Sequence, residues 1–296
     1  MSTTLLDELG IPIYLRGRPE EVVFCLNKII GQGGFGTVYR VTFAQLPGVV
    51  KVVNLDALGS LPAIKGVIGG DIRAAEHLHS SLHAVTVSSF IYAEPHQSVA
   101  KMLGLSPVRE LWLAMELVEG KTLEQMMREV NAETSVDASV KCRFKLQLLY
   151  LLLVDLVYIH SRDVTHLDLT PRNILCAFRD GRASVRLIDF GSARFTAEIG
   201  GATLHMGTRS MIPLTQTYAA PEMIQAAMTA AGAGVGAVKL TSAVDVYAFG
   251  MIGLETLTGM APSVLGLMGT PARLRHLRAV AGVPAELHSL IVSCVE

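Results

Sequence analysis

The stretch HLDLTPRNIL, residues 166–175, sets a carboxylate, Asp168, five positions before an amide, Asn173, with Pro171 between them. Further on, LIDFGSAR ends an apolar run on a second carboxylate, Asp189. One aspartate and one asparagine are oxygen donors enough for Mg²⁺, which takes few protein ligands and completes its shell with water and phosphate. An ordinary turn explains Asp189-Phe190-Gly191 as well. Lys51 lies in the apolar run GVVKVV. An unpaired ammonium is costly in such surroundings, so it reads either as a phosphate-holding cation with a carboxylate partner or as an edge-strand lysine reaching water along its stem. The expected partner is Glu76, with Asp71 as competitor. GQGGFGTV brings Gly31, Gly33 and Gly36 into one turn, with Val38 behind them. Backbone without a Cβ can approach phosphate closely and offer it N–H groups. Alone, that spacing also fits a dinucleotide-binding turn or a plain hairpin. Strand-like sequence rather than a helix after Gly36 argues against the dinucleotide turn.

These groups need elements to position them. Residues 1–20 read as an extension outside the fold. EVVFCLNKIIGQGGFGTVYRVT, from Glu21 to about Thr42, has β-branched and aromatic runs on both sides of the glycines, a strand–turn–strand signal. VVKVVN starts a third strand at Val49, LDALGSLPAIKGVIGG reads as a connector punctuated by Gly and Pro, and DIRAAEHLHSSLH as a helix. Two more strands are expected around Val85–Tyr92 and Leu111–Leu117. ELWLAMELVEG runs from a strand into a linker whose backbone can meet an adenine edge, with Met115 bounding the pocket; a buried strand is the plainer reading. After Gly120 the pattern turns helical. TLEQMMREV opens on Thr122 with Gln125 three residues later, a capping box, and the Leu-rich run Leu146–His160 forms a second helix. ILCAFRDGRASVRLIDF reads as a hairpin turned at Asp180-Gly181, and the small-residue insert at 228–238 as a loop. Strands first and helices afterwards predict an α+β fold.

Composition narrows the function classes. The chain has 296 residues, half of them hydrophobic, and a formal net charge of −1. That charge argues against a broad footprint for nucleic acid or an anionic membrane. Four cysteines with no C-x-x-C pair point to reduced thiols in a cytosolic protein rather than a disulfide or zinc framework. No basic segment leads into an apolar block at the N-terminus, so no secretory signal is expected. Mean hydropathy is high, +0.43, but the run Leu146–His160 is too short to span a bilayer and carries Gln147 and Asp155.

The order glycine turn, strand lysine, helix glutamate, H-x-D-x-x-x-x-N, D-F-G and YAAPE resembles the eukaryotic protein kinase family. TQTYAAPE, with Thr215, Tyr218 and Glu222, is similar to its serine/threonine type, and TSAVDVYAFGMIGLETLTG to its central buried helix, with Asp245 bracing the catalytic loop. The resemblance runs from about Glu21 to Glu296. It implies a two-lobed protein kinase-like fold: a small antiparallel β-sheet lobe with one main helix (21–118) and a larger, mainly helical lobe (119–296). The larger lobe is expected to be truncated, because the chain stops at the end of a late helix. ATP would lie against Gly31, Gln32, Gly33, Gly34, Phe35, Gly36, Val38, Val49, Lys51, Met115, Glu116 and Val118. Asp168 would accept the substrate hydroxyl's proton, Lys51 held by Glu76 would grip the α/β-phosphates, and Asn173 and Asp189 would hold Mg²⁺. The implied activity is ATP-dependent transfer of the γ-phosphoryl group to Ser/Thr hydroxyls of protein substrates. The alternative is a pseudokinase that docks partners. A cytoplasmic monomer is expected, with the nucleus as alternative compartment and no membrane or nucleic-acid partner.

Three departures bear on activity. Thr170 stands where such enzymes usually supply a lysine, so the transition state loses one cation, and Arg172 is the nearby candidate to compensate. Leu167 replaces an arginine that in many relatives pairs with a phosphorylated activation segment. The segment Ser192–Tyr218 is therefore expected to order without phosphorylation, despite Thr203, Thr208, Ser210 and Thr217. Glu222 lacks its usual distal arginine: either the chain is truncated before it, or Glu222 finds another cation, such as one in PARLRHLR (271–278).

Overall fold

Strands that are apolar at nearly every position, such as VVKVV and LWLAM, give the first part of the chain a sheet with two buried faces. The computed structural model describes residues 24–33, 36–43, 46–78, 83–93, 95–179, 182–195, 217–230 and 240–295. The extension at 1–20, the turn at Asp180-Gly181 and residues 231–238 of the small-residue insert lie outside these; the first three residues of that insert, read as loop, are helical. Two compact units divide between Val118 and Glu119.

In the first unit, β1 (Phe24–Gly33), β2 (Gly36–Phe43), β3 (Leu46–Asn54), β4 (Val87–Ala93) and β5 (Glu110–Glu116) form an antiparallel sheet in the order β1-β2-β3-β5-β4. One face buries Tyr39, Val41, Val50, Val52 and Trp112. Glu110 fixes this side: its buried carboxylate accepts Trp112 Nε1–H at 2.9 Å and the Val99 N–H at 2.6 Å. The other face, with Val53, Leu111 and Leu113, is covered by a helix. A four-residue turn of helix, α1 (Leu55–Leu58), leads into that covering helix, α2 (Leu61–Leu78), and α3 (Val99–Met102) follows β4.

The span of α2 corrects the sequence expectation, because its first half is the stretch read as a connector. Pro62 falls in the first turn, where its missing N–H has no partner to lose. Gly66, Gly69 and Gly70 each cost about 1 kcal/mol of helix propensity. Ile64, Ile68, Ile72 and Ala75 recur at helical spacing and are buried against the sheet, and burying each isoleucine returns about 2 kcal/mol. Tertiary packing overrides local propensity.

The second unit is mainly helical. β6 (Lys121–Thr122) leads into α4 (Leu123–Ala132), where Thr122 and Gln125 form the expected capping box. α5 (Ala138–Ser161) is followed by β7 (Val164–Thr165), β8 (Ile174–Arg179), β9 (Arg182–Leu187) and β10 (Arg194–Phe195). β6, β8 and β9 make a three-stranded sheet, and β10 pairs with β7. α6 (Pro221–Ala230), α7 (Ala243–Thr258), α8 (Pro262–Leu267), α9 (Thr270–Arg278) and α10 (Ala285–Val295) complete it. α7 is the core helix, buried over most of its length. A Cβ on Gly250 would come within 2.6 Å of Cys294 Cβ and Val295 Cγ1, so glycine there lets α10 lie directly on α7. Among the described residues no helix is long and apolar enough to cross a membrane.

Candidate active site

In the first unit the functional candidates share one face of the sheet. Lys51 sits opposite Val38 on β2 and Leu113 on β5, and Val49 opposite Met115. Lateral partners in a sheet point the same way, so Val38, Val49, Lys51 and Met115 flank one another on the side that α2 covers. Glu116, one step on, falls on the opposite side and is exposed. Val118 follows the end of β5. Lys51 Nζ meets Asp71 Oδ2 at 3.1 Å, with side chains 15% and 6% exposed. Glu76 is therefore corrected as the partner. Asp71 and Glu76 are five residues apart on α2, about 140° of rotation, and the face that carries Ile68, Ile72 and Ala75 to the sheet carries Asp71 with it.

The glycine turn has a steric reason of its own. Gly31 pairs with Val38 and Gly33 with Gly36 across the β1–β2 hairpin, with Gln32 opposite Thr37. A Cβ on Gly36 would meet the Val52 carbonyl oxygen at 2.4 Å, so close approach of β3 demands glycine whether or not phosphate binds. Gly34 and Phe35 lie outside the described residues.

In the second unit, hydrogen bonds gather the loop candidates. β8 and β9 pair Ile174 with Leu187, which sets Asn173 across from Ile188, and the Ile188 N–H donates to the Asn173 carbonyl at 3.0 Å. Asp189 is the next residue. Asn173 Nδ2 donates to the Asp168 carbonyl at 2.8 Å and to Asp168 Oδ2 at 3.2 Å. The Asp168 N–H donates to His166 Nδ1 at 3.3 Å, so the ring proton is on Nε2, which donates to the Ile188 carbonyl at 3.0 Å. Beneath the loop Asp245, 1% exposed, accepts the N–H groups of His166 at 2.7 Å and Leu167 at 3.0 Å, and lies 2.9 Å from His160 Nε2.

That bracing holds strained backbone. Only Asp163, Leu167 and Asp189 among the described non-glycine residues have positive φ, at 60°, 63° and 62°. Each such conformation costs on the order of 1–3 kcal/mol and persists where surroundings over-determine it. Two of the three flank or form the candidate site. Its donor set suits a hard divalent cation: Asp189 is an exposed carboxylate, and Asn173 uses its amide N–H groups on Asp168, which leaves the amide oxygen for a metal. Among the described residues no group of three or more His, Cys, Asp or Glu could hold a metal.

The model of the family described as "Protein kinase domain" matches residues 24–266. The chain belongs to that family. It is 26% identical over 258 residues to the serine/threonine-protein kinase-transforming protein mos of Moloney murine sarcoma virus, with 85% of this chain and 59% of the relative covered. The proto-oncogene serine/threonine-protein kinase mos of Mus musculus is 26% identical over 258 residues, with 85% and 65% covered. The U-box domain-containing protein 34 of Arabidopsis thaliana is 27% identical over 258 residues, with 84% and 27% covered. The chain thus spans about three fifths of the length of the mos relatives. The α+β fold expected from sequence is that of the protein kinase domain.

Within this kinase domain the remaining predicted residues fall as follows. Thr170 is 6% exposed and lines a cavity with Asp168 and Tyr218. Arg172 does not stand in for the absent lysine: its Nε donates to Glu124 Oε1 at 3.0 Å on the surface of α4. Tyr218, 7% exposed, donates its hydroxyl to Glu255 Oε2, and burial, reinforced by Glu255, pushes the phenol above its ordinary range. Of the two alternatives for Glu222, a cation in the 271–278 segment is not the partner found, since Glu222 forms no ion pair with it among the described residues. Arg273, the buried cation of that segment, donates to the Leu265 carbonyl at 2.8 Å and approaches Tyr247 Oη at 3.4 Å. Thr215 and the sites Thr203, Thr208 and Ser210 lie outside the described residues. Sequence reasoning missed two supports: His160, which looks like one more polar residue at a helix end, and the packing of Leu167. That leucine is buried with Ala219, Ala220, Met223 and Val244 in a cluster joining the loop to α6 and α7.

Proposed function

We propose that this kinase domain transfers the γ-phosphoryl group of ATP to Ser/Thr hydroxyls of protein substrates, with Mg²⁺ and without needing a phosphorylated activation segment. The observation that carries the reading is the loop at 166–173. Asn173 grips both the backbone and the carboxylate of Asp168, Asp245 pins the loop from below, and Asp189 follows the residue bonded to Asn173. Positioning of this kind is most of what phosphoryl transfer asks of a protein. Asp168 orients the acceptor hydroxyl and takes its proton. Lys51, held by Asp71, binds phosphate oxygens. Asn173 and Asp189 would hold Mg²⁺, which neutralises charge on the phosphates.

Independence from activation-segment phosphorylation rests on Leu167. A phosphate needs a cation there, and this position offers an apolar side chain packed on the residues that directly follow the segment, Ala219 and Ala220. Hydrophobic contact then performs the anchoring that a charge-assisted bond performs elsewhere. The domain is cytoplasmic in this reading, which the free buried thiols of Cys142, Cys176 and Cys294 support, and it acts as a monomer.

A second reading, a nucleotide-binding pseudokinase, is favoured by one observation: Thr170 and Arg172 together leave the loop without a cation directed at phosphate. Transfer of labelled phosphate from ATP to a generic protein substrate separates the two, beside Asp168→Asn. Transfer that disappears in Asp168→Asn supports the enzyme. ATP- and Mg²⁺-dependent thermal stabilisation with no transfer supports the pseudokinase.

A further inference from the structure

The stretch 256–285 contains no aspartate or glutamate, yet holds Arg273, Arg275 and Arg278, in a chain whose net charge is −1. The fold divides these arginines between two sides of α9. Arg273 and Leu277 are buried, and Arg273 donates to the Leu265 carbonyl, which locks α9 against α8. Pro271, Leu274, Arg275 and Arg278 then recur at the i, i+3, i+4, i+7 spacing of one helix face, and with Thr270 they border a solvent-open surface. Arg275 and Arg278 are exposed and form no ion pair among the described residues. On α8 nearby in sequence, Leu267 is 90% exposed and Val264 44%. The bond from Arg273 to the Leu265 carbonyl ties the two helices together, so α8 and α9 jointly carry exposed aliphatic and cationic side chains.

We propose that the α8–α9 face is a docking site for a protein partner presenting an acidic linear segment with leucine-type side chains between its carboxylates. Charge complementarity selects the carboxylates: two arginines in an acid-free stretch, with no ion pair among the described residues, offer bidentate sites that lysines would not. The apolar part selects against nucleic acid, because Leu267 and Leu274 give nothing to phosphate and, among the described residues, no aromatic side chain lines this face for a base to stack on. A helical or extended segment laid along α9 covers the leucines while its carboxylates meet Arg275 and Arg278. Use of this face to recruit phosphorylation substrates rests on the phosphotransfer reading above; the binding itself does not.

The test is fluorescence anisotropy of the full chain with two labelled peptides, EELLEELLEELL and its lysine counterpart KKLLKKLLKKLL. The acidic peptide is expected to bind and to weaken as salt rises from about 50 to about 200 mM; the lysine peptide is expected not to bind. Arg275→Glu/Arg278→Glu should weaken binding at least about tenfold, and Leu267→Ser about tenfold through lost burial. Thermal unfolding of each variant should match the parent, and Arg278→Gln serves if the double variant does not fold. Equal binding of both peptides, or acidic-peptide binding unchanged in folded variants, overturns the proposal. Fused to a serine-containing substrate, the acidic segment should lower KM in the parent and not in Arg278→Gln, with kcat unchanged. Absence of any phosphorylation would count against the enzyme reading and leave the anisotropy result standing.

Discussion

Asp155 sits in the middle of α5, 3% exposed, where the helix packs on β9. Burial pushes its carboxyl from the ordinary 3.8 up to about 8, against the pull of the Arg186 guanidinium. Between those two values the folded protein holds a proton that the unfolded chain has released. Stability from this group is therefore full below pH 4 and falls as pH rises, by about 1.4 kcal/mol per unit. From pH 5 to pH 7 the loss is about 3 kcal/mol, a large part of the ~5–15 kcal/mol that usually holds a domain folded. Other groups titrate as well, so the informative quantity is a difference. Asp155→Asn keeps the shape and removes the titration. Urea unfolding of parent and variant, followed by far-UV circular dichroism, should show the variant gaining about 3 kcal/mol on the parent between pH 5 and pH 7. A difference that does not change with pH would refute the reasoning, and would mean that Asp155 is ionised in the fold with its charge neutralised by Arg186. The neighbouring Cys176 thiol, pushed up to about 12 by burial and by Asp155, should resist alkylation in the folded protein throughout this range.

Asp71→Asn should lower kcat/KM for ATP on the order of 10- to 1000-fold by freeing Lys51, whereas Glu76→Gln should stay near the parent; the reverse ranking in steady-state assays would reinstate Glu76. Leu167→Arg puts a cation into the cluster of Ala219, Ala220, Met223 and Val244 and should destabilise by about 3–5 kcal/mol by chemical denaturation. A variant that unfolds like the parent and becomes activated by phosphorylation of the 196–216 segment would contradict the packing account. Gly250→Ala drives a methyl toward Cys294 and Val295 at 2.6 Å and should lower stability by about 1–3 kcal/mol, read as a drop in Tm.

The parts of the site that depend on local pattern were legible before any coordinates. Asp168, Asn173 and Asp189 stand out because a short loop and a two-residue hairpin fix their spacing, and hairpin register follows from turn length. The helix α4 was legible for the same reason, since its capping box is a local sequence feature. The failures share the opposite character. Choosing between Asp71 and Glu76 requires knowing which face of α2 meets the sheet, and that depended on seeing that the helix begins at Leu61. Glycine and proline content concealed its first half, while the isoleucine stripe at 64, 68 and 72 was the available signal that outweighed them. Arg172 shows the same limit at the surface: its position beside Thr170 suggested a compensating cation, but a long side chain goes to the nearest accessible carboxylate, which α4 supplies in Glu124. Leu167 turns that limit into evidence. Read alone it is a missing arginine. Read with Ala219, Ala220 and Met223 it is an apolar anchor, and Asp245 holds its backbone at φ 63° so that the side chain enters the cluster. Loss of one interaction and gain of another at the same position is what the proposed phosphorylation-independent loop requires of Leu167.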